Sequence, residues 1–407
     1  MAQIVCAAIV KWATSIKLLI NVLKTVFMLF SKCRLNQSSL PTLTIEGNRI
    51  SPSDRCKFLG LILDPQIRWQ LHIEEKCLSV RRLAFKLTRI VRLNWGLSRD
   101  RIRKIYNAII EPTLLYCCAI WCSAVNRVKC RAKLRSTQRI FAIMMTRTMK
   151  TTSSEAALLL AQLLPVDYRV KEITTRRYLN TNPSAPFTPS SMRSINEIIS
   201  KLPEHESLTA SINAELPPYS TLTPPSIIFL ERNSQISHLS NNPQTLRLFT
   251  DGSLIPHATG NKVGYGITAF NDRKLLAECR GRLPSYATVF QAEGSAILTA
   301  LNFAISKLDQ FKSIEVLSDS RAALLACTSK AKVPKIFDSI ARTLHSHPGI
   351  FHLFCVPSHS GHIGNEYADQ LAKEAANSFI VPTITPYPAS FIHTETKSLI
   401  NRLWQRE

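Results

Sequence analysis

Leu248-Phe249-Thr250-Asp251-Gly252-Ser253 is the stretch on which the reading of this chain turns. An apolar run ends on a carboxylate, and a glycine follows. A carboxylate at the end of a central strand is costly to bury unless it is paired or bound to a metal. Three more acids recur in similar settings: Glu293 in Gln291-Ala292-Glu293-Gly294, Asp319 in Val316-Leu317-Ser318-Asp319-Ser320, and Asp369 in Gly364-Asn365-Glu366-Tyr367-Ala368-Asp369. Carboxylate oxygens gathered on one edge of a sheet suit hard divalent cations. Two such cations are a standard means of cutting a phosphodiester.

The surrounding pattern predicts strands at 246–251, 262–270, 273–281, 312–318 and 350–356, and helices at 288–308, 320–327, 333–346 and 364–377. Three strands followed by helix–strand alternation imply an α/β fold with a mixed sheet, antiparallel first and parallel later. Glu293 shares a helical stripe with Ile297, Ala300, Leu301, Ala304 and Leu308, where a leucine is expected. Taken singly, Asp319 reads equally well as a helix cap and Asp251 as turn chemistry. A lone buried glutamate is rare, and the four acids together outweigh the separate structural readings.

Thr-Asp-Gly-Ser at 250–253, Gln-Ala-Glu at 291–293, Ser-Asp-Ser-Arg-Ala-Ala at 318–323, and Val-Pro-Ser-His-Ser-Gly-His-Ile-Gly-Asn-Glu-Tyr-Ala-Asp-Gln-Leu-Ala at 356–372 resemble the type-1 ribonuclease H signature. The resemblance implies a ribonuclease H-like mixed five-stranded sheet flanked by helices. It implies Asp251, Glu293, Asp319 and Asp369 as catalytic ligands of two Mg2+ ions, with Mn2+ as a substitute, and an RNA–DNA hybrid as substrate. It also makes His359 the catalytic histidine of a loop, with His362 three residues away. Gly252, Ser253 and Gln291 are placed to touch the substrate backbone. The family pattern has glycine where Ser358 stands and commonly tryptophan where Cys355 stands; neither departure touches the four acids. The basic helix-loop that some members carry has no counterpart in Thr328-Ser329-Lys330-Ala331-Lys332.

Charge is distributed unevenly. Residues 1–180 hold 31 Lys and Arg against 10 Asp and Glu, whereas residues 181–407 hold 20 against 18. A basic first half points to a polyanionic partner, and it is expected to supply the grip on nucleic acid that the missing helix-loop would give. Ser98–Ile110 carries a helical stripe of Ile102, Ile105, Tyr106, Ile109 and Ile110, with Ser98 as N-cap and Pro112 beyond the end. Residues 68–93 repeat the style, with Leu78, Leu83 and Leu87 among seven Lys or Arg. Residues 181–245 are rich in Pro, Ser and Thr and read as a linker with one short helix near 195–202. The expected organisation is a basic helical region at 1–180, the linker at 181–245, the α/β domain at 246–378 and a tail at 379–407.

Arg55-Cys56-Lys57-Phe58-Leu59-Gly60-Leu61-Ile62-Leu63-Asp64, then Ile109-Ile110-Glu111-Pro112-Thr113-Leu114-Leu115-Tyr116, resemble the part of a non-LTR, LINE-like retrotransposon reverse transcriptase that follows its palm. That resemblance implies a polyprotein fragment. No Asp-Asp pair occurs anywhere in the chain, so the polymerase's metal-binding aspartates are not expected here. The alternative reading is a non-catalytic, nucleic-acid-binding remnant.

Eleven cysteines without paired spacing give no zinc motif and suit reduced thiols in an intracellular protein. Lys11, Lys17 and Lys24 break the apolar start, which argues against a spanning helix and against stable membrane association. Val26-Phe27-Met28-Leu29-Phe30 predicts a short buried strand, and residues 1–60 are expected to expose an apolar patch.

Overall fold

The computed structural model describes all residues except 1, 32–41, 91–95, 181–196, 203–225, 231–242, 259, 330–333, 359–361, 384 and 407. They form two compact units. One draws on Met1–Arg177, Pro186–Lys201 and Thr396–Glu407, and the other on Tyr178–Ala185 and Leu202–Glu395.

The second unit carries a six-stranded mixed sheet. Its strands are β1 (Ile227–Phe229), β2 (Thr245–Ile255), β3 (Lys262–Asn271), β4 (Lys274–Leu283), β5 (Ser313–Ser318) and β6 (Phe351–Cys355). Their order across the sheet is β1-β6-β5-β2-β3-β4, with β3 antiparallel to its neighbours β2 and β4 and the other adjacent pairs parallel. The five expected strands are present. The sixth, β1, lies inside the stretch read as linker, where Ile227-Ile228-Phe229 supplies enough β-branched and aromatic surface to pair with Leu353–Cys355. Helices α1 (Val289–Ile305), α2 (Arg321–Cys327), α3 (Lys335–Ser346) and α4 (Ile363–Asn377) complete the layers. Leu246, Leu248, Ile314, Val316 and Leu353 pack with Ala292, Ala296, Ile297 and Ala300 of α1 in the main core. On the alternate residues, Phe249, Leu317 and Phe354 pack with Ala368 of α4.

Small residues let α4 lie directly on β3. A Cβ on Gly266 would stand 2.3 Å from the Ala368 carbonyl oxygen, and one on Gly264 would stand 2.4 Å from the Ala376 nitrogen. Overpacking of that size cannot be relieved by side-chain rotation, because the obstructing atoms are backbone.

The first unit is mostly helical. Its core joins Trp69, Ile73, Val80, Ile102, Tyr106, Trp121, Leu134, Phe141 and Leu158. Two sequence expectations fail here in informative ways. The helix from Arg99 does not stop before Pro112: a π-turn over Tyr106–Ile110 leads into Glu111–Leu114, with Pro112 in the first turn of that continuation. A proline is tolerated there because it lacks an N–H that the turn does not need. The inserted residue shifts the phase, leaving Ile109 half exposed. In Gln70–Thr88 the buried face is His72, Ile73, Cys77, Val80 and Ala84, and Leu78 faces outward.

Nor do residues 26–30 form a buried strand. Phe27 makes one isolated bridge with Pro52, and no neighbouring strand among the described residues extends it. Helix Ala2–Ser15 buries only Ala13, while Ile4, Trp12, Leu19 and Leu23 are exposed, the last at 98%. No single helix among the described residues is long and apolar enough to cross a membrane.

Candidate active site

Strand register places the first two acids. β2 and β5 pair in parallel from Thr245↔Ser313 to Thr250↔Ser318. The next residue on each strand, Asp251 and Asp319, therefore stands just past the end of the parallel pairing, with Asp319 at the carboxyl end of β5 and Asp251 beside it on β2, which runs on to Ile255. The carboxyl ends of parallel strands are where ligands of open α/β sheets gather. Asp251 Oδ1 accepts from the Gly252 N–H at 2.8 Å.

Glu293 arrives from α1. A capping box sets the start of that helix: Thr288 Oγ1 accepts from Gln291 N at 3.2 Å and Gln291 Oε1 accepts from Thr288 N at 3.1 Å. Gly252 lets α1 come close, since a Cβ there would lie 2.6 Å from the Glu293 nitrogen. Asp251, Glu293 and Asp319 each bring one carboxylate oxygen to within 4.8 Å of the others. Asp369, on α4, is not one of these three but lies near enough for its charge to act on Asp251. It is more open than Asp251 and Glu293, with 29% of its side chain exposed, and its Oδ2 accepts from Lys373 Nζ at 2.6 Å.

Burial and like charge act together on these groups. Burial first, then Asp319 and Asp369, pushes the Asp251 carboxyl up to about 8. Burial first, then Asp251 and Asp319, pushes Glu293 up to about 9, against an opposing contribution from the Gly252 N–H. Glu293 Oε2 is buried and has no hydrogen-bond partner among the described residues. Carboxylates crowded this way, one with an orphaned oxygen, fit a hard divalent cation: the donors are all oxygen and their charge is uncompensated.

The remaining expected residues are placed as follows. Ser253 is buried one alternation beyond Asp251 on β2, and Gly252 is half-buried. Both ends of the Gln291 amide are engaged, because its Nε2 also donates to the Pro386 carbonyl at 2.6 Å, so its placement is that of a structural brace. His359 lies outside the described residues. His362 caps α4 and is half-buried, which lowers its pKa against the opposing pull of Glu366.

One buried pair escaped sequence reading. Arg247 Nε donates to Glu315 Oε2 at 2.8 Å across β2 and β5. The signal was present, since Arg247 and Glu315 each stand four residues before an acid of the site.

Residues 243–377 match the family model for RNase H. The C-terminal part of this chain is an RNase H domain. The chain is also homologous to polyproteins of R1 and jockey non-LTR retrotransposons. It is 25% identical over 160 residues to a putative 115 kDa protein in the type-1 retrotransposable element R1DM of Drosophila melanogaster, covering 39% of this chain and 15% of that protein. It is 25% identical over 171 residues to a retrovirus-related Pol polyprotein from the type-1 retrotransposable element R1 3 of Nasonia vitripennis, covering 40% of this chain and 44% of that one. The chain thus spans less than half the length of either relative. Among solved structures, RNase H1 of Halobacterium salinarum aligns at 24% identity over 33% of this chain and 98% of its own, with a TM-score of 0.27. An RNase H domain at 243–377 supports nuclease function on RNA–DNA hybrids in general.

Proposed function

We propose that the RNase H domain hydrolyses the RNA strand of RNA–DNA hybrids with divalent cations, two Mg2+ in the first instance, held by Asp251, Glu293, Asp319 and Asp369. The observation that carries this reading is the group of three carboxylates within 4.8 Å, with Glu293 Oε2 buried and unpartnered among the described residues. Cations bound there would supply an activated water and neutralise charge developing on the phosphodiester.

The chain's own residues have separable tasks in this reading. Asp251 and Asp319, fixed by adjacent parallel strands, define the floor of the site. Glu293 closes it from above through the gap that Gly252 leaves. Asp369, tethered by Lys373, is the ligand best able to shift as substrate enters. The 2′-hydroxyl is the group by which a protein tells an RNA strand from a DNA strand.

The test is cleavage of a labelled RNA–DNA hybrid by the full chain with and without Mg2+, beside Asp251→Asn and Glu293→Gln. Each variant should lose at least about 100-fold in rate, since losing even an outer partner of a metal ligand costs 10–100-fold. A folded protein that binds hybrid but cuts neither strand in Mg2+ or Mn2+ would refute the enzyme and leave a binding remnant.

A further inference from the structure

The RNase H match ends at residue 377, but the chain beyond it returns to the domain. Thr383 N donates to the Arg282 carbonyl at 2.8 Å, and Arg282 Nη1 donates to the Ser378 carbonyl at 2.9 Å. Tyr286 Oη donates to the Thr385 carbonyl at 2.9 Å. Tyr286, Tyr387 and Phe391 form one ring cluster, with centroids 4.1, 5.1 and 5.4 Å apart. Thr385, Tyr387 and Ile392 are buried.

The anchor points are concentrated. They fall on the end of β4, on the loop leading to α1, and on Gln291 in the first turn of α1. Gln291 joins two systems, because its Oε1 serves the helix cap and its Nε2 holds the Pro386 carbonyl. Glu293 is two residues further on. Its Oε2 has no hydrogen-bond partner among the described residues, so where the helix backbone lies helps to set the reach of that carboxylate. A ligand held to within about 0.5 Å of its productive position needs supporting contacts of this kind.

We propose that Thr385, Pro386, Tyr387 and Phe391 form a positioning strap for Glu293, outside the RNase H module itself. The strap fixes the first turn of α1 through the Gln291–Pro386 bond and the ring cluster, and thereby sets Glu293 opposite Asp251 and Asp319. This inference rests on the reading of those acids as cation ligands.

The experiment uses the full chain, with Tyr387→Ala, which removes the central ring, and Tyr387→Phe, which keeps it. Two quantities are measured: Mn2+ affinity from the free-ion electron paramagnetic resonance signal, and hydrogen exchange of the amides at 290–294. Tyr387→Ala should weaken Mn2+ binding about tenfold, as loss of an outer partner does, and speed exchange at 290–294 while β3 keeps its protection. Tyr387→Phe should restore both. Unchanged affinity and unchanged exchange in Tyr387→Ala would overturn the strap. Should the unaltered protein bind no Mn2+, the cation reading fails on its own, and exchange at 290–294 still decides whether the strap fixes the helix. If Tyr387→Ala does not fold, Tyr286→Phe removes only the hydroxyl bond to Thr385, and unchanged exchange there overturns the proposal.

Discussion

The helical unit gives its buried carboxylates partners, whereas the RNase H domain does so for some and crowds others together. In the helical unit each is answered. Asp64 accepts the backbone N–H groups of Gln66, Arg68 and Trp69 at 3.2, 2.9 and 2.9 Å. Asp167 receives Nε and Nη2 of Arg135 at 2.8 and 2.9 Å, and Glu172 lies between Arg169 and Arg176. In the RNase H domain Arg247 and Glu315 make the same kind of pair. Four residues further along those two strands, Asp251 and Asp319 meet no Lys or Arg in an ion pair among the described residues. Satisfied acids hold a fold together, whereas crowded unsatisfied ones cost stability and are characteristic of functional sites.

The contrast also alters the meaning of the basic first half. Many of its arginines are turned onto carbonyl oxygens: Arg99 onto Leu160, Arg103 onto Ala161, Arg127 onto Arg68 and Arg139 onto Thr152, at 2.8, 2.5, 2.6 and 2.6 Å. Their charge remains, but these donors bind the fold. A count of cations therefore overstates the surface offered to a nucleic acid.

The comparison is broken most severely by removing one partner from a satisfied pair. Arg135→Ala leaves Asp167 buried and unpaired, and should cost the helical unit about 3–5 kcal/mol. Urea unfolding followed by tryptophan fluorescence reads this directly, because the tryptophans are at 12, 69, 95, 121 and 404, all outside the second unit. Replacing both partners, Arg135→Met with Asp167→Leu, should recover most of the loss. Equal costs for the single and the double variant would show that the pair's satisfaction is not what matters.

A smaller effect comes from His72, the buried titratable ring of the same unit. Its Nδ1 accepts from Ile62 N at 3.3 Å, its Nε2 has no hydrogen-bond partner among the described residues, and Trp69 and Trp121 lie beside it. Burial first, then Lys76, lowers its pKa to about 4. The unfolded chain then binds the extra proton between about pH 6.5 and 4, so the ring's contribution is complete above 6.5 and is lost as pH falls through that window. Acidification should cost about 1–3 kcal/mol, and His72→Phe should flatten that part of the fluorescence-monitored stability profile. A profile identical in the two proteins would rule this group out.

The parts of this molecule legible in sequence are those where one local rule decides. The strands and helices of the RNase H domain follow from alternating and 3.6-residue patterns, and Glu293 stands out because an acid occupies a leucine position. What was not legible depends on partners distant in sequence. The pairing of Ile227–Phe229 with β6 needs a strand 126 residues away. The π-turn at Tyr106–Ile110 depends on packing that a periodic stripe does not encode. Gln291 looked available for substrate because nothing nearby reveals that Pro386 takes its amide. Leu78 satisfied the hydrophobic pattern and still faces outward, since the core of its helix is set by His72, Cys77 and Val80.

The mildest test asks whether the unsatisfied acids carry the cost that their crowding implies. Three carboxylate oxygens within 4.8 Å repel one another, and two of the side chains are buried. Without a cation, Asp251→Asn keeps nearly the same shape and removes a carboxyl whose pKa the fold raises to about 8. Such a group costs stability as pH climbs from its unfolded value toward its folded one, so the RNase H domain should become more stable at pH 8, by at least about 1–2 kcal/mol. Hydrogen exchange of the β2 and β3 amides would register the gain as slower exchange. Mg2+ should reverse the order, because an added cation stabilises only a folded state that binds it and the Asn variant has lost a ligand. At the Arg247–Glu315 pair, on the same two strands, Glu315→Gln should destabilise with or without Mg2+, since it weakens a bond already made. If Asp251→Asn instead behaved like Glu315→Gln, the two rungs would be equivalent, and the acids at the strand ends would be ordinary structural groups.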